Sequence, residues 1–576
     1  MLCSSPSLIL PIAIVLVLAF VLTPSAPAQT FTVLHNFTCY GDGCLSETGL
    51  TIDAAGNLYG TTTGGGAHQN GTVFRLRKSG SGWVLNPLYS FAGGNDGASP
   101  GGRVSLAPDG TLYGTTSEGG GSGCNGAGCG TVFHLIPSPA APTSALGPPW
   151  NETVLYRFTG GSDGASPGGD LTFDHAGNIY GTAGLGGNNN NGVIYELAPS
   201  GGGWTETALY SPQGSGGGTN PSGGVVFDTS GNLYGVFFRG GLGWGTAYQL
   251  SPAGSLWTEQ TIHRFSYTGS DGADPIGGLI IDASGNLYGT TSQGETSVGT
   301  VFEVTPGRGG WTFNTLWPFP LQNNSTGPVD KLLMDAAGNL YGTTFGLGAY
   351  NLGTVFKLTP SNGGWTESLP YLFSGGTDGS NPDAGLVLDA AGNLYGTTYS
   401  NGAGGQGTVF ELSPSGSGWE ENTLHSFAYQ GGGGEHPEAN LIFDPAGNLY
   451  GSTASGSGGT RNGGVFELTP AYGGWTYTQI YGFLGSSEEL GPRANLVMDS
   501  AGNLYGTAYS IGTWGLVFKL TPSDGGWTYT VLHQFGGGDG GNLPLGGVVL
   551  DANGNLYGTT SSGGAYGYGT LWEITP

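Results

Sequence analysis

The sequence predicts an all-β fold, a β-propeller of ten four-stranded blades closed into one ring. A unit of about 54 residues recurs ten times across residues 29–576. Gly contributes 119 and Pro 33 of the 576 residues, which with this period indicates many short strands joined by tight turns. The chain also begins and ends partway through a unit, as expected of a ring whose last blade joins both termini.

The clearest part of the unit is the sequence Asp-x-x-Gly-Asn-Leu-Tyr-Gly, called the marker below. Consecutive markers are 52–55 residues apart, except for one interval of 67 residues that contains a Pro-rich insert at 137–149. The last Gly of each marker occupies the following positions: Gly60, Gly114, Gly181, Gly235, Gly289, Gly342, Gly396, Gly451, Gly506 and Gly558. Internal periods of this length are typical of propellers and other repeat architectures.

Each unit reads as four strands. In the seventh unit they are predicted at 385–389, 394–398, 407–413 and 419–427, separated by Gly-, Asn- and Ser-rich turns. A sheet of this kind cannot cover both of its faces, so copies must pack on one another around an axis. The marker Tyr and a Trp that opens the fourth strand supply large apolar surfaces for that packing.

The two ends of the chain predict how the ring closes. Residues 31–37 resemble a fourth strand, such as that at 531–535, whereas the chain ends at 569–576 with a third strand. The N-terminal strand is therefore predicted to complete the last blade, which removes exposed sheet edges. Two five-bladed rings are the alternative, but they would require a second split unit in the middle of the chain, and the sequence has none.

Residues 1–28 are predicted to be a signal peptide, and residues 29–576 form the propeller. The segment is apolar from Leu8 to Leu22 and ends in Ala26-Pro-Ala28, which fits a small-residue cleavage site near Ala28. It lacks the usual basic start, so an uncleaved anchor is the alternative, although 15 apolar residues are short for a membrane span. We expect a secreted or cell-surface protein without a transmembrane span in its mature chain.

The four cysteines that remain after cleavage form two closely spaced pairs, Cys39 with Cys44 and Cys124 with Cys129. In an oxidising compartment these spacings favour two local disulfides. Four cysteines allow three pairings, so the connectivity stays open, and a redox or metal pair is the alternative.

Charge excludes one class of partner. The chain has 39 acidic and 13 basic residues and a net charge of −26. Nucleic-acid binding requires clustered Lys and Arg, which the sequence lacks. We predict an acidic, monomeric protein that binds no nucleic acid.

The sequence predicts no catalytic residue, metal ligand or cofactor. It contains no nucleophile elbow, zinc-binding His pair or phosphate loop. The marker Asp offers one carboxylate per turn, whereas calcium requires several, so a turn-stabilising role is favoured. His436 lies close to Glu435 and Glu438 and could act as a general base, but a solvated loop residue is the simpler interpretation.

Positions where the units differ are the better candidates for a ligand site. Charged residues replace small or apolar ones where the first strand of some units is predicted to line the channel mouth. The predicted ligand-binding residues are Arg103, Asp170, Asp330, Lys331, Asp383, Glu438 and Arg493. Chance variation in an exposed loop is the alternative.

The segments 385–398, 407–412 and 418–419 resemble the GloVer tandem repeat of bacterial choice-of-anchor tandem repeat proteins. The resemblance covers essentially the whole mature chain. It implies an exported, often surface-displayed protein without an assigned activity, and it supplies no catalytic residues. The marker is also similar to the Asp-x-x-Gly-Asn-x-Tyr sequence of NHL-type and lactonase-like propellers.

Together these features predict a non-catalytic extracellular propeller that acts as a binding or scaffold module for a glycan or a surface protein. One alternative is a lactonase-like or polysaccharide-active hydrolase or lyase at the channel mouth. Another is a purely structural component of the cell envelope.

Overall fold

The structure is a computed structural model. It describes residues 30–46, 50–79, 82–107, 109–138, 150–168, 171–174, 176–212, 218–240, 243–254, 256–320, 327–328, 332–347, 350–361, 364–382, 384–416, 418–428, 435–437, 439, 441–455, 463–472, 474–483, 491–492, 495–509, 514–523, 526–536, 538, 540–544 and 547–575. The predicted signal peptide and residues 139–149 of the insert lie outside these ranges. No helix in the described part of the chain is long and apolar enough to cross a membrane.

The described residues form β-strands and two short 3-10 helices, Cys124–Gly126 and Asn188–Asn190. The first strands are β1 (Thr30–Asn36), β2 (Thr51–Ile52), β3 (Leu58–Thr62), β4 (Thr72–Ser79), β5 (Gly82–Ser90), β6 (Gly97–Ala98), β7 (Ser105–Leu106), β8 (Leu112–Thr116), β9 (Glu118–Gly119), β10 (Thr131–Pro137) and β11 (Trp150–Arg157). They are followed by β12 (Ala165–Pro167), β13 (Thr172–Phe173), β14 (Ile179–Leu185), β15 (Val193–Ser200), β16 (Gly203–Tyr210), β17 (Thr219–Phe227), β18 (Leu233–Arg239), β19 (Thr246–Ala253), β20 (Leu256–Arg264), β21 (Ala273–Ile281), β22 (Leu287–Gln293), β23 (Ser297–Gly307) and β24 (Gly310–Pro320). The remaining strands are β25 (Leu333–Met334), β26 (Leu340–Thr344), β27 (Thr354–Ser361), β28 (Gly364–Leu372), β29 (Val387–Leu388), β30 (Leu394–Thr398), β31 (Gly405–Ser415), β32 (Gly418–Ala428), β33 (Ile442–Phe443), β34 (Leu449–Thr453), β35 (Gly464–Ala471), β36 (Gly474–Gly482), β37 (Val497–Met498), β38 (Leu504–Ala508), β39 (Leu516–Ser523), β40 (Gly526–Gln534), β41 (Val549–Leu550), β42 (Leu556–Thr560) and β43 (Thr570–Thr575).

Apart from the two-residue strands β6 and β9, which pair with each other, these strands form ten antiparallel sheets, the blades of one propeller, which confirms the predicted fold class. Blades 1 to 9 contain β2–β5, β7–β8–β10–β11, β12–β16, β17–β20, β21–β24, β25–β28, β29–β32, β33–β36 and β37–β40. Blade 10 has the order β1-β43-β42-β41, so the N-terminal strand lies at the edge of the last sheet. There Phe31 pairs with Ile574 and His35 with Leu571.

Burial within a blade follows the strand order. In blade 7 every residue of β30 is buried, whereas exposed and half-buried residues alternate along much of β32. The second and third strands therefore carry the core, and the fourth strand faces solvent with one side. Because the strands are antiparallel, the marker turns and the hairpins between third and fourth strands lie on one side of the ring. This side is called the marker face, and the opposite side the connector face.

Ten apolar clusters among the described residues each join two successive blades. The cluster between blades 10 and 1 combines Phe37 and Tyr557 with Leu58 and Phe74, so the series of contacts returns to its start. Blades 5 and 6 also share a cluster. The alternative of two five-bladed rings is therefore wrong, because it would separate these two blades.

The last Gly of the marker is required by close packing. A Cβ atom added to Gly396 would lie 2.6 Å from Cζ of Phe410, on the neighbouring third strand. Gly289 stands in the same relation to Phe302. The close contact between the marker Gly and this ring explains why the Gly recurs in every unit together with a large aromatic residue on the third strand.

We expect Gly396→Ala to lower the free energy of unfolding by about 1–3 kcal/mol, because the added methyl group must displace a buried ring. Thermal unfolding measures the effect. Gly418→Ala in the same blade is the matched control, since a Cβ atom there would meet nothing within 4 Å. Equal melting temperatures for the two variants would contradict this account of the marker.

Both cysteine pairs form disulfides, Cys39 with Cys44 and Cys124 with Cys129. The first closes a loop between blades 10 and 1, and the second closes a loop between β8 and β10. The predicted local pairing is confirmed.

Candidate functional site

The marker Asp stabilises its own turn. In blade 7, Oδ1 of Asp389 accepts the backbone N–H groups of Ala391 (2.9 Å) and Asn393 (2.8 Å). Its Oδ2 accepts the side-chain amide of Asn393 (2.8 Å) and lies 3.1 Å from the hydroxyl oxygen of Tyr395. In an equivalent turn, such hydrogen bonds hold the pKa of Asp228 below its usual value against the opposing effect of burial. The favoured structural interpretation of the marker agrees with these contacts, which leave little of the carboxylate for a metal ion.

A second set of polar contacts joins neighbouring blades. Glu411 lies opposite the marker residue Tyr395 on the third strand. One of its oxygens accepts the hydroxyl of Tyr395 (2.9 Å), and the other accepts Nε1–H of Trp475 in blade 8 (2.7 Å). The Trp of the fourth strand thus donates a hydrogen bond to the third strand of the preceding blade. A Lys occupies this third-strand position in blade 6, and Nζ of Lys357 lies 5.3 Å from the ring centroid of Trp419.

The marker face contains clefts where these contacts meet the surface. The cleft between blades 4 and 5 has a volume of about 480 Å³, and its lining includes Tyr234, Gln249 and Trp311. The cleft between blades 5 and 6 has a volume of about 680 Å³, and its lining includes Glu303 and Trp365. Both volumes fall in the range of about 300–1,000 Å³ that is typical of small-ligand sites.

The walls of these clefts combine aromatic rings with amide and carboxylate groups. Trp311 packs edge-on against Tyr234, with 5.5 Å between ring centroids, and its Nε1–H donates to Oε1 of Gln249 (2.6 Å). In the next cleft, Trp365 donates in the same way to Glu303 (3.0 Å). Neither cleft is lined by a described Lys or Arg. Such a surface suits a ligand with apolar faces and many hydroxyl groups.

The first strand of each blade faces the centre of the ring. A cavity of about 520 Å³ is bounded by residues of four successive blades, among them Leu333, Val387, Ile442 and Leu496. Its wall is largely apolar. None of the seven charged residues predicted to surround the channel mouth is among the described residues that line this cavity.

The structure describes one of the seven predicted ligand-binding residues. Arg103 is exposed and lies two residues before β7. The other six lie outside the described residues: Asp170, Asp330, Lys331, Asp383, Glu438 and Arg493. A charged binding rim therefore stays a prediction.

His436 has contacts that hold its ring in place. Its Nδ1 lies 2.7 Å from the carbonyl oxygen of Tyr399, and its ring stacks on that of Tyr399 with 4.3 Å between centroids. Asp378 lies in the loop between β28 and β29, where it accepts the hydroxyls of Ser374 (2.7 Å) and Tyr371 (3.1 Å). Both residues serve the architecture of their loops.

Sequence reasoning missed the clefts of the marker face. It assigned the recurring Trp and Tyr to the core, although Trp311 and Trp365 also form cleft walls. The polar wall residues come from different blades, so no single unit contains the pattern. The sequence did contain one indication of the clefts, namely positions at which a single unit differs from the others. Gln249 is such a position, because five other blades have Glu there.

Several solved structures are similar to this chain at low identity. A polysaccharide lyase of the ulvan lyase kind is 9% identical, with 89% of this chain and 97% of that chain covered and a TM-score of 0.30. A thermostable family-43 glycoside hydrolase is 12% identical, with 45% and 91% covered and a TM-score of 0.23. A puromycin-hydrolysing peptidase of Mycobacterium tuberculosis is 9% identical, with 68% and 57% covered and a TM-score of 0.31. At these TM-scores none of them informs the function of this chain, and no curated protein matches it.

One family matches along almost the whole chain. The model of the Gloeobacter/Verrucomicrobia repeat matches residues 17–241, 149–297, 204–367, 298–513 and 391–576. These segments overlap and together include all ten markers. The chain belongs to the Gloeobacter/Verrucomicrobia repeat family.

Proposed function

We propose that this protein is an exported, non-catalytic propeller that binds glycans in the clefts of its marker face. The observation that carries the proposal is the composition of these clefts. Each combines a Trp ring, such as Trp311 or Trp365, with amide and carboxylate groups in a volume that suits a small ligand.

Glycans match this surface chemically. A sugar ring presents C–H groups that pack on an aromatic face, and its hydroxyls exchange hydrogen bonds with amides and carboxylates. The net charge of −26 disfavours strongly anionic partners. The uncharged and acidic lining of both clefts therefore supports a neutral, hydroxyl-rich ligand over nucleic acid.

The carboxylates at the clefts already have partners, which favours binding over catalysis. Glu303 accepts Nε1–H of Trp365 (3.0 Å) and the amide of Asn314 (3.2 Å) through one oxygen. Asp282 accepts four donors from its own turn and from Tyr288. A general acid or base must exchange protons with substrate, and carboxylates held by so many donors are poorly suited to that role.

Export agrees with two further features. The predicted leader at residues 1–28 directs the chain out of the cytoplasm, where disulfides such as Cys39–Cys44 persist. β1 also completes the sheet of blade 10, so that blade does not lack a fourth strand through which copies could pair. We therefore propose a monomeric protein outside the cytoplasm or at the cell surface.

We expect the mature protein to bind neutral polysaccharides, and Trp311→Ala with Trp365→Ala to abolish that binding. Affinity electrophoresis on gels that contain cellulose derivatives, mannan or xylan measures it. The matched control is Trp475→Ala with Trp527→Ala, which removes the same inter-blade hydrogen bonds away from the two clefts.

Failure of the unmodified protein to bind any polysaccharide would contradict the proposed function. Release of reducing ends from a bound polysaccharide would instead favour the hydrolase or lyase alternative. Equal binding by the two double variants would place the site elsewhere on the propeller.

A further inference from the structure

We propose that the cleft between blades 4 and 5 is a specific site for an uncharged pyranose unit of a glycan. This inference rests on the proposed function and assigns it to one cleft and one class of sugar. Its basis is that residues which depart from the repeat, on four separate chain segments, line this one cleft.

The first departures are in the marker turns. The third marker position is Ala in six blades, Asp109 in blade 2 and Asn553 in blade 10. It is Ser in blades 4 and 5 alone, as Ser230 and Ser284, and both residues line the cleft. The turns use the backbone N–H groups of these serines (both 2.8 Å to the marker Asp) and not their hydroxyls.

The next departures are on the strands. Gln249 takes the third-strand position that is Glu in five blades and Lys, Arg or His in the others. Gln260 takes the fourth-strand position three residues after the Trp, where the other units have Asn, Ser or Thr. Both amides line the same cleft. If these four positions had changed independently of one another, their side chains would have no reason to lie around a single cleft.

These differences from the other blades change which hydrogen-bonding groups the cleft presents to a ligand. In blade 7 both carboxylate oxygens of Glu411 are engaged, one by Tyr395 and one by Trp475. In blade 4, Oε1 of Gln249 accepts Nε1–H of Trp311 (2.6 Å), while Nε2 makes a long contact of 3.4 Å with the hydroxyl of Tyr234. Since an amide nitrogen carries two hydrogens, Gln249 keeps a donor for a ligand, which a Glu cannot supply.

The available groups define the class of sugar. The two serine hydroxyls and the two amides are uncharged, and each can donate and accept, as vicinal sugar hydroxyls require. Asp228, the nearest carboxylate to Ser230 along the chain, already accepts four hydrogen bonds and has little capacity for an ammonium group. No Lys or Arg among the described residues lines the cleft, so its wall offers no counter-charge for a uronic acid. A neutral pyranose therefore fits, with Trp311 against one face of its ring.

The test uses the triple variant Ser230→Ala, Gln249→Glu, Ser284→Ala in the full mature chain. Each substitution installs a side chain that other blades of this protein carry at the same position, so the fold is retained. Calorimetry measures binding of neutral cello-, manno-, xylo- and N-acetylchito-oligosaccharides, with oligogalacturonates and chitosan oligomers as charged probes. Ser500→Ala, in the exposed marker turn of blade 9, is the matched control.

We expect the unmodified protein and S500A to bind a neutral oligosaccharide equally well. The triple variant should bind it at least about tenfold more weakly with an unchanged melting temperature, because two or three hydrogen bonds are lost. Unchanged affinity in the triple variant would overturn the assignment to this cleft. Binding of the charged probes alone would overturn the sugar class and leave glycan binding intact, whereas absence of binding to every saccharide would contradict the proposed function itself.

Discussion

Phe37→Ala is expected to lower the free energy of unfolding by about 3–5 kcal/mol, as much as the same substitution at Phe427. Both side chains are completely buried at the end of a fourth strand. Phe37 lies 5.4 Å from Phe74 in the next blade, and Phe427 lies 5.3 Å from Phe466, measured between ring centroids. The terminal strand is thus packed as tightly as an internal one.

This comparison tests ring closure directly. A terminal strand that frayed would leave Phe37 partly solvated in the native state, and its removal would then cost little. A much smaller loss for F37A than for F427A, measured by chemical or thermal unfolding, would show that the ring is open. Amide exchange gives a second measure, since β1 and β32 should be protected to the same degree.

The pairing of β1 with β43 was predictable from sequence because it depends on order along the chain. Residues 31–37 could be aligned with the fourth strand at 531–535. The marker turn was also predictable, since Asp389, Asn393 and Tyr395 interact within seven residues of sequence. Local and repeated features of this kind are visible in a single unit.

Contacts between blades were not predictable in the same way. Trp475 and Glu411 are 64 residues apart, and nothing in one unit shows that they meet. The cleft residues Ser230 and Gln249 likewise become neighbours only when strand register and blade packing are known. The predicted rim residues, by contrast, were chosen from positions four to six residues before the marker Asp, and only Arg103 falls in the described part of the chain.

The outer strands contain a further set of such pairs. His425 in blade 7 stacks on Tyr477 in blade 8 with 3.2 Å between ring centroids, and His263 stacks on Phe313 at 3.5 Å. At the corresponding positions of blades 1 and 2, Tyr89 faces Glu152 instead. Tyr156 likewise faces Glu206 and Tyr371 faces Glu421, whereas His533 stacks on Phe31.

The Glu members of these pairs are poorly solvated. Oε1 is buried in Glu152, Glu206 and Glu367. Burial is the largest cause that raises the pKa of Glu152 to about 8, and the nearby Asp96 carboxylate raises it further. The pKa of Glu206 rises to about 7, again mainly because of burial. These carboxyl groups therefore favour the protonated form when the ring is folded.

The contribution of these Glu residues to stability should accordingly fall as the pH rises from about 4.5 to 8. A carboxyl group whose pKa is higher in the folded state binds more protons there than in the unfolded chain, so its contribution is complete below the unfolded pKa of about 4.5 and is lost as the pH passes the folded value. Glu152→Gln is neutral at every pH and keeps the shape of the side chain. We expect E152Q to raise the free energy of unfolding at pH 9 by on the order of 2 kcal/mol and to change it little at pH 4.

Melting temperatures of the mature protein and E152Q between pH 4 and 9 measure this difference. Glu118→Gln is the matched control, because Glu118 is exposed in the short strand β9, in the segment between β8 and β10. A difference between E152Q and the unmodified protein that stayed constant over this pH range would show that the pKa of Glu152 is the same in the folded and unfolded states. A difference that grows with pH would show that the ring tolerates Glu between its outer strands mainly as the neutral acid, which is why an aromatic residue can replace it in other blades.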